Sequence, residues 1–334
     1  MPLSGRWGRS LADFFRRSGG RIIRTRPASA LTPMRVTITG ATGFVGTRLV
    51  AKLKARADEV TVLSRDAARA SERLGVDAVA WDWRRGSAPA QALAGRDVVV
   101  HLAGEPVSQR WNDDVKARIR DSRERGTSEL VAGIAAADPP PARLISASAC
   151  AYYGAHGSEV VDETSPAADD DFLADVCVRW ERAADAAAEH GTSVVTVRTG
   201  ITLHADSGVL PSMLLPFKLG LGGPLAGGRQ YLPWIHHEDL IGIYVRLIDA
   251  PAFSGPINAS APNPVTNKQF SAALGRALHR PAVLPVPGFV AKLVAGDVAQ
   301  YAVTGVRMVP GRAGELGYAF GFPDIDSALA DALR

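Results

Sequence analysis

A chain of 334 residues, 46% of them hydrophobic, can bury a large core, enough for one α/β domain with an appendage or for two small domains. The formal charge of +4 is local, because residues 1–33 carry seven arginines against the single acid Asp13; the near-neutral remainder argues against a nucleic-acid groove on the folded part. Two cysteines, Cys150 and Cys177, make no disulfide framework and point to a reducing, cytoplasmic setting, no apolar run is long enough to span a bilayer, and no zinc or calcium ligand spacing is present.

The first 33 residues, with "RSLADFFRRSGGRIIRTR", are basic and partly amphipathic. Such a stretch suits an anionic membrane surface or an Arg-rich presequence. The simpler expectation is a tail dispensable for the fold, since the strand signal starts at Met34. "MRVTIT" (34–39) is a short β-branched run. "GATGFVG" leads from it into "TRLVAKLKARA", whose apolar positions recur at helical spacing. "VTVLS" (60–64), "DAVAW" (77–81) and "DVVVHLAG" (97–104) read as further buried strands, because parallel strands covered on both faces are continuous apolar runs. A long helical pattern follows over 112–137, then the strand ending "LISASA", a helix over 173–190 and the strand "TSVVTVRTG" (192–200). This alternation predicts an α/β fold: a Rossmann-type, doubly wound parallel sheet over residues 34–200. After Gly200 the chain turns rich in Gly and Pro. Residues 201–334 are therefore expected to form a smaller C-terminal substrate-binding region, partly interleaved with the first.

Gly40, Gly43 and Gly46 sit between a strand and a helix, the setting that makes a glycine-rich loop a phosphate cradle. Gly40 permits the tight turn, Gly43 lets a pyrophosphate approach, and Gly46 lets the helix pack on the strand. Phe44 and Val45 open the helix, whose free N–H groups favour an anion. At the end of the second strand an acid would select NAD and an arginine NADP. Ser64 and Arg65 stand there, so NADP(H) is the expected cofactor; Asp66 bending back to the ribose is the NAD(H) alternative. Asp82, Leu102, Ala103 and Gly104 complete the expected cofactor lining.

With "TGATGFVG", "HLAG" and "SASACAYYG" in place, the chain resembles the extended short-chain dehydrogenase/reductases, the NAD(P)-dependent epimerase/dehydratase superfamily. More narrowly, "HLAGEPVSQRW", "FLADVCVRWE", "VRTGITL", "GLGGPLAGGRQYLPWIHHEDL" and "APNPVTN" resemble an atypical, nucleoside-diphosphate-sugar epimerase-like subgroup with some cell-division-linked relatives, over residues 34 to 334. The resemblance implies acid–base catalysis beside a hydride carrier, run by a tyrosine, a lysine, a serine and an asparagine. Residue by residue, Ser148 matches the serine, with Ser146 a register alternative, and Arg123 stands at the asparagine. Leu173 falls at the tyrosine and Cys177 at the lysine, so the usual Tyr-x-x-x-Lys chemistry cannot run as written.

The candidate catalytic set is then Ser148, Tyr152, Tyr153 and Arg110. Tyr152 and Tyr153 leave the same strand as Ser148; packing explains them equally well. Arg110 offers a bidentate fork to an anionic substrate group. Glu181 and Lys116 are further titratable groups, more simply read as a paired helix acid and a solvated lysine. Trp111, Arg229, Trp234 and His236 are candidate substrate contacts, with Gln230 and Asp239 beside them. His236 and His237, read as strand neighbours, should point to opposite faces. The leading functional reading is an NADP(H)-dependent oxidoreductase or epimerase-like enzyme acting on a small molecule. The alternative is a nonenzymatic NADP-binding redox sensor or cell-division-associated regulator. The long helices 112–137 or 173–190 offer a face for a homodimer.

Overall fold

A computed structural model of the chain describes residues 32–289 and 299–334. Seven strands form its main sheet: β1 (Arg35–Thr39), β2 (Glu59–Ser64), β3 (Asp77–Ala80), β4 (Val98–His101), β5 (Arg143–Ala149), β6 (Ser193–Thr199) and β7 (Gly255–Ala259). Every pairing is parallel, and the order across the sheet is β7-β6-β5-β4-β1-β2-β3. The chain therefore runs outward from β1 in one direction and then outward from β4 in the other. The crevice above the carboxyl ends of β1 and β4 is the switch point where such sheets take ligands.

Eight helices matter to the site: α1 (Phe44–Ala55), α2 (Ala67–Leu74), α3 (Asp113–Ala135), α4 (Phe172–Asp185), α5 (Leu210–Lys218), α6 (His237–Ile248), α7 (Asn267–Ala277) and α8 (Ile325–Ala332). Successive strand residues face opposite layers. Val36, Ile38, Val100, Ile145 and Val197 pack against Leu49 and Leu53 of α1 and Leu240, Tyr244 and Leu247 of α6. Val99, Leu144 and Val194 pack on the other face against Leu130 and Ile134 of α3 and Ala184 of α4. Each such side chain contributes roughly 1.5–3 kcal/mol of burial, and two full layers fix the sheet between them.

Helix starts are set by local chemistry. Asn112 accepts from Val115 N–H at 2.8 Å to begin α3, and Asp171 accepts from Ala174 N–H at 2.8 Å to begin α4. Each such cap satisfies an otherwise orphaned donor and is worth about 1 kcal/mol. Thr266 and Gln269 form a reciprocal capping box at α7.

Beyond Gly200 the chain divides its residues between two cores. Leu203, Leu210, Phe217, Trp234, Phe270, Leu274 and Leu329 build a separate apolar cluster. α6 and β7 return to the main sheet. Arg143 holds that return in place: buried at the start of β5, it donates to the carbonyls of Leu247, Ala250, Pro251 and Phe253, at 2.6–2.8 Å for all but Pro251. Among the described residues, no helix is long and apolar enough to cross a membrane.

Candidate functional site

The loop after β1 is shaped by close backbone approach. Gly40 has φ +68°, and a Cβ there would stand 2.7 Å from Ala103 N and from the Leu102 carbonyl carbon. A Cβ on Gly46 would stand 2.5 Å from both Gly40 O and Ala41 Cα. Both contacts lie below any tolerable Cβ distance, so the turn closes only with glycine. Gly43 differs, because a Cβ there would meet only Gly40 O, at 3.3 Å. Its open side faces away from the fold, and it precedes α1 with no side-chain cap and no acid in the first turn. The N–H groups of Phe44, Val45 and Gly46 thus present a partial positive charge with no side-chain cap among the described residues competing for it. This cradle fits a pyrophosphate. Leu102, Ala103 and Gly104 lie alongside it at the end of β4.

At the end of β2, Arg65 is exposed and holds no ion pair among the described residues. Asp66 is committed elsewhere: its Oδ1 accepts from Arg69 N–H at 3.0 Å and caps α2. Ser64 Oγ stays within the same turn, 3.1 Å from the Asp66 carbonyl. Asp82 is also a cap, accepting from Arg84 N–H at 3.1 Å.

His101, the last residue of β4, is a core histidine. Its Nδ1 lies 2.7 Å from Thr39 Oγ1 and its Nε2 3.0 Å from Thr127 Oγ1. Burial, and then the charge of Arg123, bring its pKa down to about 4, so the ring is neutral. Arg123 lies against Gly104, donates to the Glu105 carbonyl at 2.9 Å and faces the Trp180 ring. Burial lowers its pKa, while Cys177 and Glu105 oppose that shift. A full cation thus stands where the resemblance implies a neutral amide. Cys177 is buried beside it, and burial followed by the charge of Glu181 pushes its thiol up to about 12. Burial pushes Cys150 up to about 11. Neither thiol is a poised nucleophile.

The predicted hydroxyls behave differently from the expectation. Register places Ser148, Arg198 and Asn258 side by side across β5, β6 and β7, on the sheet face that α4 covers. Glu181 meets them from α4, on the same stripe as Ala174, Cys177 and Ala184. Ser148 Oγ donates to Glu181 Oε1 at 2.6 Å. Arg198 grips the same carboxylate in a fork, at 2.9 and 2.8 Å. It also donates to the Tyr153 hydroxyl at 3.0 Å, which donates to Asn258 Oδ1 at 2.7 Å. Burial works against the charge of Arg198, but the hydrogen bonds and charge of Glu181 prevail and raise its pKa. Burial raises that of Tyr153. Ser148 is 4% exposed and Tyr153 fully buried. Both are therefore corrected from substrate-facing groups to members of a buried polar network. Ser146 is buried as well. Tyr152 lies at the network's outer edge, its ring stacked 3.4 Å from the Arg198 guanidinium carbon. Its hydroxyl makes no hydrogen bond among the described residues.

Further around the mouth, Arg110 is exposed. Trp111 donates its indole N–H to the Val107 carbonyl at 3.0 Å and packs edge-on against Phe172. Tyr301 reaches this cluster from the C-terminal region; its hydroxyl donates to Asp171 Oδ1 at 3.0 Å and receives the Leu173 N–H at 3.3 Å. Lys116 Nζ lies 5.9 Å from the centre of the Trp111 ring, so it is not a simply solvated lysine.

Two expected substrate contacts belong to the second core instead. Trp234 is buried among Leu203, Leu232 and Phe270. His236 is buried against Phe322, with ring centres 3.7 Å apart, and its Nδ1 accepts from Glu238 N–H. Burial, then His237, takes its pKa to about 4. His237 does not point the opposite way: the strand ends at His236 and His237 begins α6, so the two rings lie 4.4 Å apart. Asp239 fastens a turn, accepting from Tyr318 O–H, Gly321 N–H and Phe322 N–H. Gln230 is buried and donates to the Leu225 carbonyl, while Arg229 beside it is exposed.

Known proteins are similar to this chain in sequence and fold. The family model "NAD dependent epimerase/dehydratase family" matches residues 36–259, and a domain of unknown function, DUF1731, matches residues 286–332. The chain is 38% identical over 305 residues to the Arabidopsis thaliana "Epimerase family protein SDR39U1 homolog, chloroplastic", covering 89% of this chain and 86% of that protein. The crystal structure of human epimerase family protein SDR39U1 (isoform 2) with NADPH is 36% identical, covers 90% of this chain and 99% of that one, and superposes with a TM-score of 0.80. A nucleoside-diphosphate sugar epimerase from Corynebacterium glutamicum is 33% identical, covers 96% of this chain and 61% of that one, and has a TM-score of 0.73. With its glycine loop, its parallel sheet and a family model spanning both β1 and β7, the chain belongs to the NAD dependent epimerase/dehydratase family.

Proposed function

We propose that this chain binds NADPH across the carboxyl ends of its strands and exchanges hydride with a small molecule bearing an anionic group, without a Tyr-x-x-x-Lys pair. The end of β2 carries the cofactor half of this reading. Arg65 is exposed and unpaired among the described residues, and the neighbouring carboxylates Asp66 and Asp82 are each turned into a cap. A 2′-phosphate there meets a cation and no competing acid. The human relative crystallised with NADPH supports the same preference. When bound, the dinucleotide supplies the hydride. The chain's own residues cradle its phosphates, Arg110 is exposed to meet an anionic group, and Tyr152 is the candidate hydroxyl not tied into the network. In this reading residues 34–200 bind cofactor, residues 201–334 close the substrate side with Arg229 on an exposed loop, and α3 and α4 offer a homodimer face. Residues 1–31 lie outside the described structure. Two free cysteines fit a reducing compartment such as the cytoplasm.

The test is calorimetry with the purified full chain. NADPH should bind at least about tenfold tighter than NADH, since a charge-assisted contact is worth roughly 1.5–3 kcal/mol. Arg65→Asp should reverse the order. Equal affinities in the parent chain overturn the NADP reading. A second reading, a nonenzymatic NADP-binding sensor, is favoured by the burial of Ser148 and Tyr153. Following NADPH absorbance against a panel of aldehydes, ketones and keto acids separates the two. Turnover that falls in Arg110→Ala supports the enzyme, and tight binding with no turnover supports the sensor.

A further inference from the structure

Arg48 and His204 meet beside the phosphate loop, where the His204 ring faces an N–H donor on each of its two nitrogens. Arg48 lies one helical turn after Phe44, and helix side chains lean toward the N-terminus. Its guanidinium carbon accordingly sits 3.8 Å over the centre of the Phe44 ring. One of its nitrogens stands 2.9 Å from Nε2 of His204. The other ring nitrogen, Nδ1, faces the backbone N–H of Asp206 at 3.0 Å. Both neighbours are obligate donors, because a guanidinium offers no lone pair and an amide nitrogen offers only its hydrogen.

A neutral imidazole has one acceptor nitrogen and one N–H. The Asp206 amide comes from the tight turn bridged between His204 and Ser207 and directs its N–H at Nδ1, which makes Nδ1 the acceptor in the Nε2–H tautomer. Nε2 then carries the hydrogen and aims it at Arg48. Protonating the ring leaves the conflict in place, and burial, followed by the charges of Arg48 and His237, holds the pKa of His204 below its ordinary value. An oxygen with spare lone pairs relieves two facing donors by bridging them. The ring under Arg48 belongs to Phe44, the first residue of α1, whose first turn carries no side-chain cap. His204 follows the short strand Ile201–Leu203, reached from β6, which lies on the half of the main sheet away from β2 and Arg65.

We infer that Arg48 and His204 Nε2–H together grip the nicotinamide-side phosphate of the bound dinucleotide, as positioning residues that tie cofactor binding to the C-terminal region. This rests on the NADPH reading above. A substrate phosphate or carboxylate has the same chemistry, and the experiment tells the sources apart because it contains no substrate. The full chain is titrated calorimetrically with NADPH and with adenosine 2′,5′-bisphosphate, which keeps the 2′-phosphate but ends at the adenosine-side phosphate. Arg48→Met and His204→Phe keep the packing on Phe44 and remove the donors. Arg48→Met should weaken NADPH about tenfold to a hundredfold, and His204→Phe several-fold, while the bisphosphate stays within about twofold. Unliganded thermal midpoints read folding separately, and should Arg48→Met fold poorly, His204→Phe carries the same test. Unchanged NADPH affinity in a folded variant overturns the inference, as does equal loss for both ligands. A parent chain that binds neither ligand overturns the cofactor reading itself, and this assignment with it.

Discussion

Replacing Glu181 by leucine is the sharpest test of the network beneath the site. The carboxylate is 8% exposed and Arg198 4%, so neither charge is solvated in the folded chain. Glu181 takes three hydrogen bonds, one from Ser148 and two from the Arg198 fork. Leucine leaves a buried guanidinium without a counter-charge and a serine hydroxyl without its acceptor. Breaking a buried pair on one side costs about 3–5 kcal/mol, most of it the penalty of the orphaned charge. For a chain of this length each kcal/mol moves the thermal midpoint by about 1.4 °C, so Glu181→Leu should lower it by roughly 4–7 °C. Arg198→Met should do similar harm by stranding the carboxylate. Combining the two removes both charges and should recover much of the loss, with a coupling of at least about 2 kcal/mol in a double-mutant cycle. Urea unfolding followed by tryptophan fluorescence gives the energies. Single variants within about 0.5 kcal/mol of the parent, or a cycle without coupling, would show the pair to be hydrated and Ser148 free to serve the cleft.

Two further outcomes follow from the same geometry. Ser148→Ala should cost about 1 kcal/mol of stability and leave NADPH affinity unchanged, because its hydroxyl contacts Glu181 rather than the crevice; a changed affinity with intact stability refutes that placement. His101 has its folded pKa depressed to about 4, so the unfolded chain binds the proton first. Its contribution is present in full above the unfolded value of about 6.5 and is lost as pH falls toward 4, amounting to roughly 2 kcal/mol between pH 7 and pH 5, a window above the titration of ordinary carboxylates. His101→Gln should flatten the dependence of the urea midpoint on pH in that window, and an unchanged slope rejects the assignment.

The cofactor loop was legible because its chemistry is local. Gly40, Gly43 and Gly46 act within one turn between a strand and a helix, and their spacing carries the geometry. The strands were legible because burial on both faces leaves an apolar run wherever a parallel strand lies. The network was not, since it depends on register. Ser148, Arg198 and Asn258 are each polar residues near the end of their strands, and nothing local states that they align across three of them. Trp234 and His236 were misread for a related reason. Their surroundings in sequence are rich in Gly and Pro, like a loop over a pocket. The cluster that covers them includes Leu329 of α8 and, for His236, Phe322, roughly ninety residues onward. The cap at Asp66 had a readable signal: an aspartate directly before a helical run is a strong N-cap.

The network also bears on why Leu173 and Cys177 can stand where the resemblance implies a tyrosine and a lysine. Arg123 fills the space beside Gly104 with a permanent charge, held by the carbonyls of Glu105 and Ile119. A lysine at 177 would add a second cation next to it in a buried position, where like charges lower the lysine's pKa and cost stability. A small neutral thiol avoids that conflict. Leucine at 173 joins Val107, Trp111 and Phe172 in an apolar cluster at the mouth, and the Tyr301 hydroxyl closes over its backbone from the C-terminal region. The departures are therefore mutually consistent: a charged side chain at 123, a neutral thiol at 177 and an apolar cluster around 173. Restoring the tyrosine and lysine alone would set an ammonium against Arg123 and a hydroxyl inside an apolar rim.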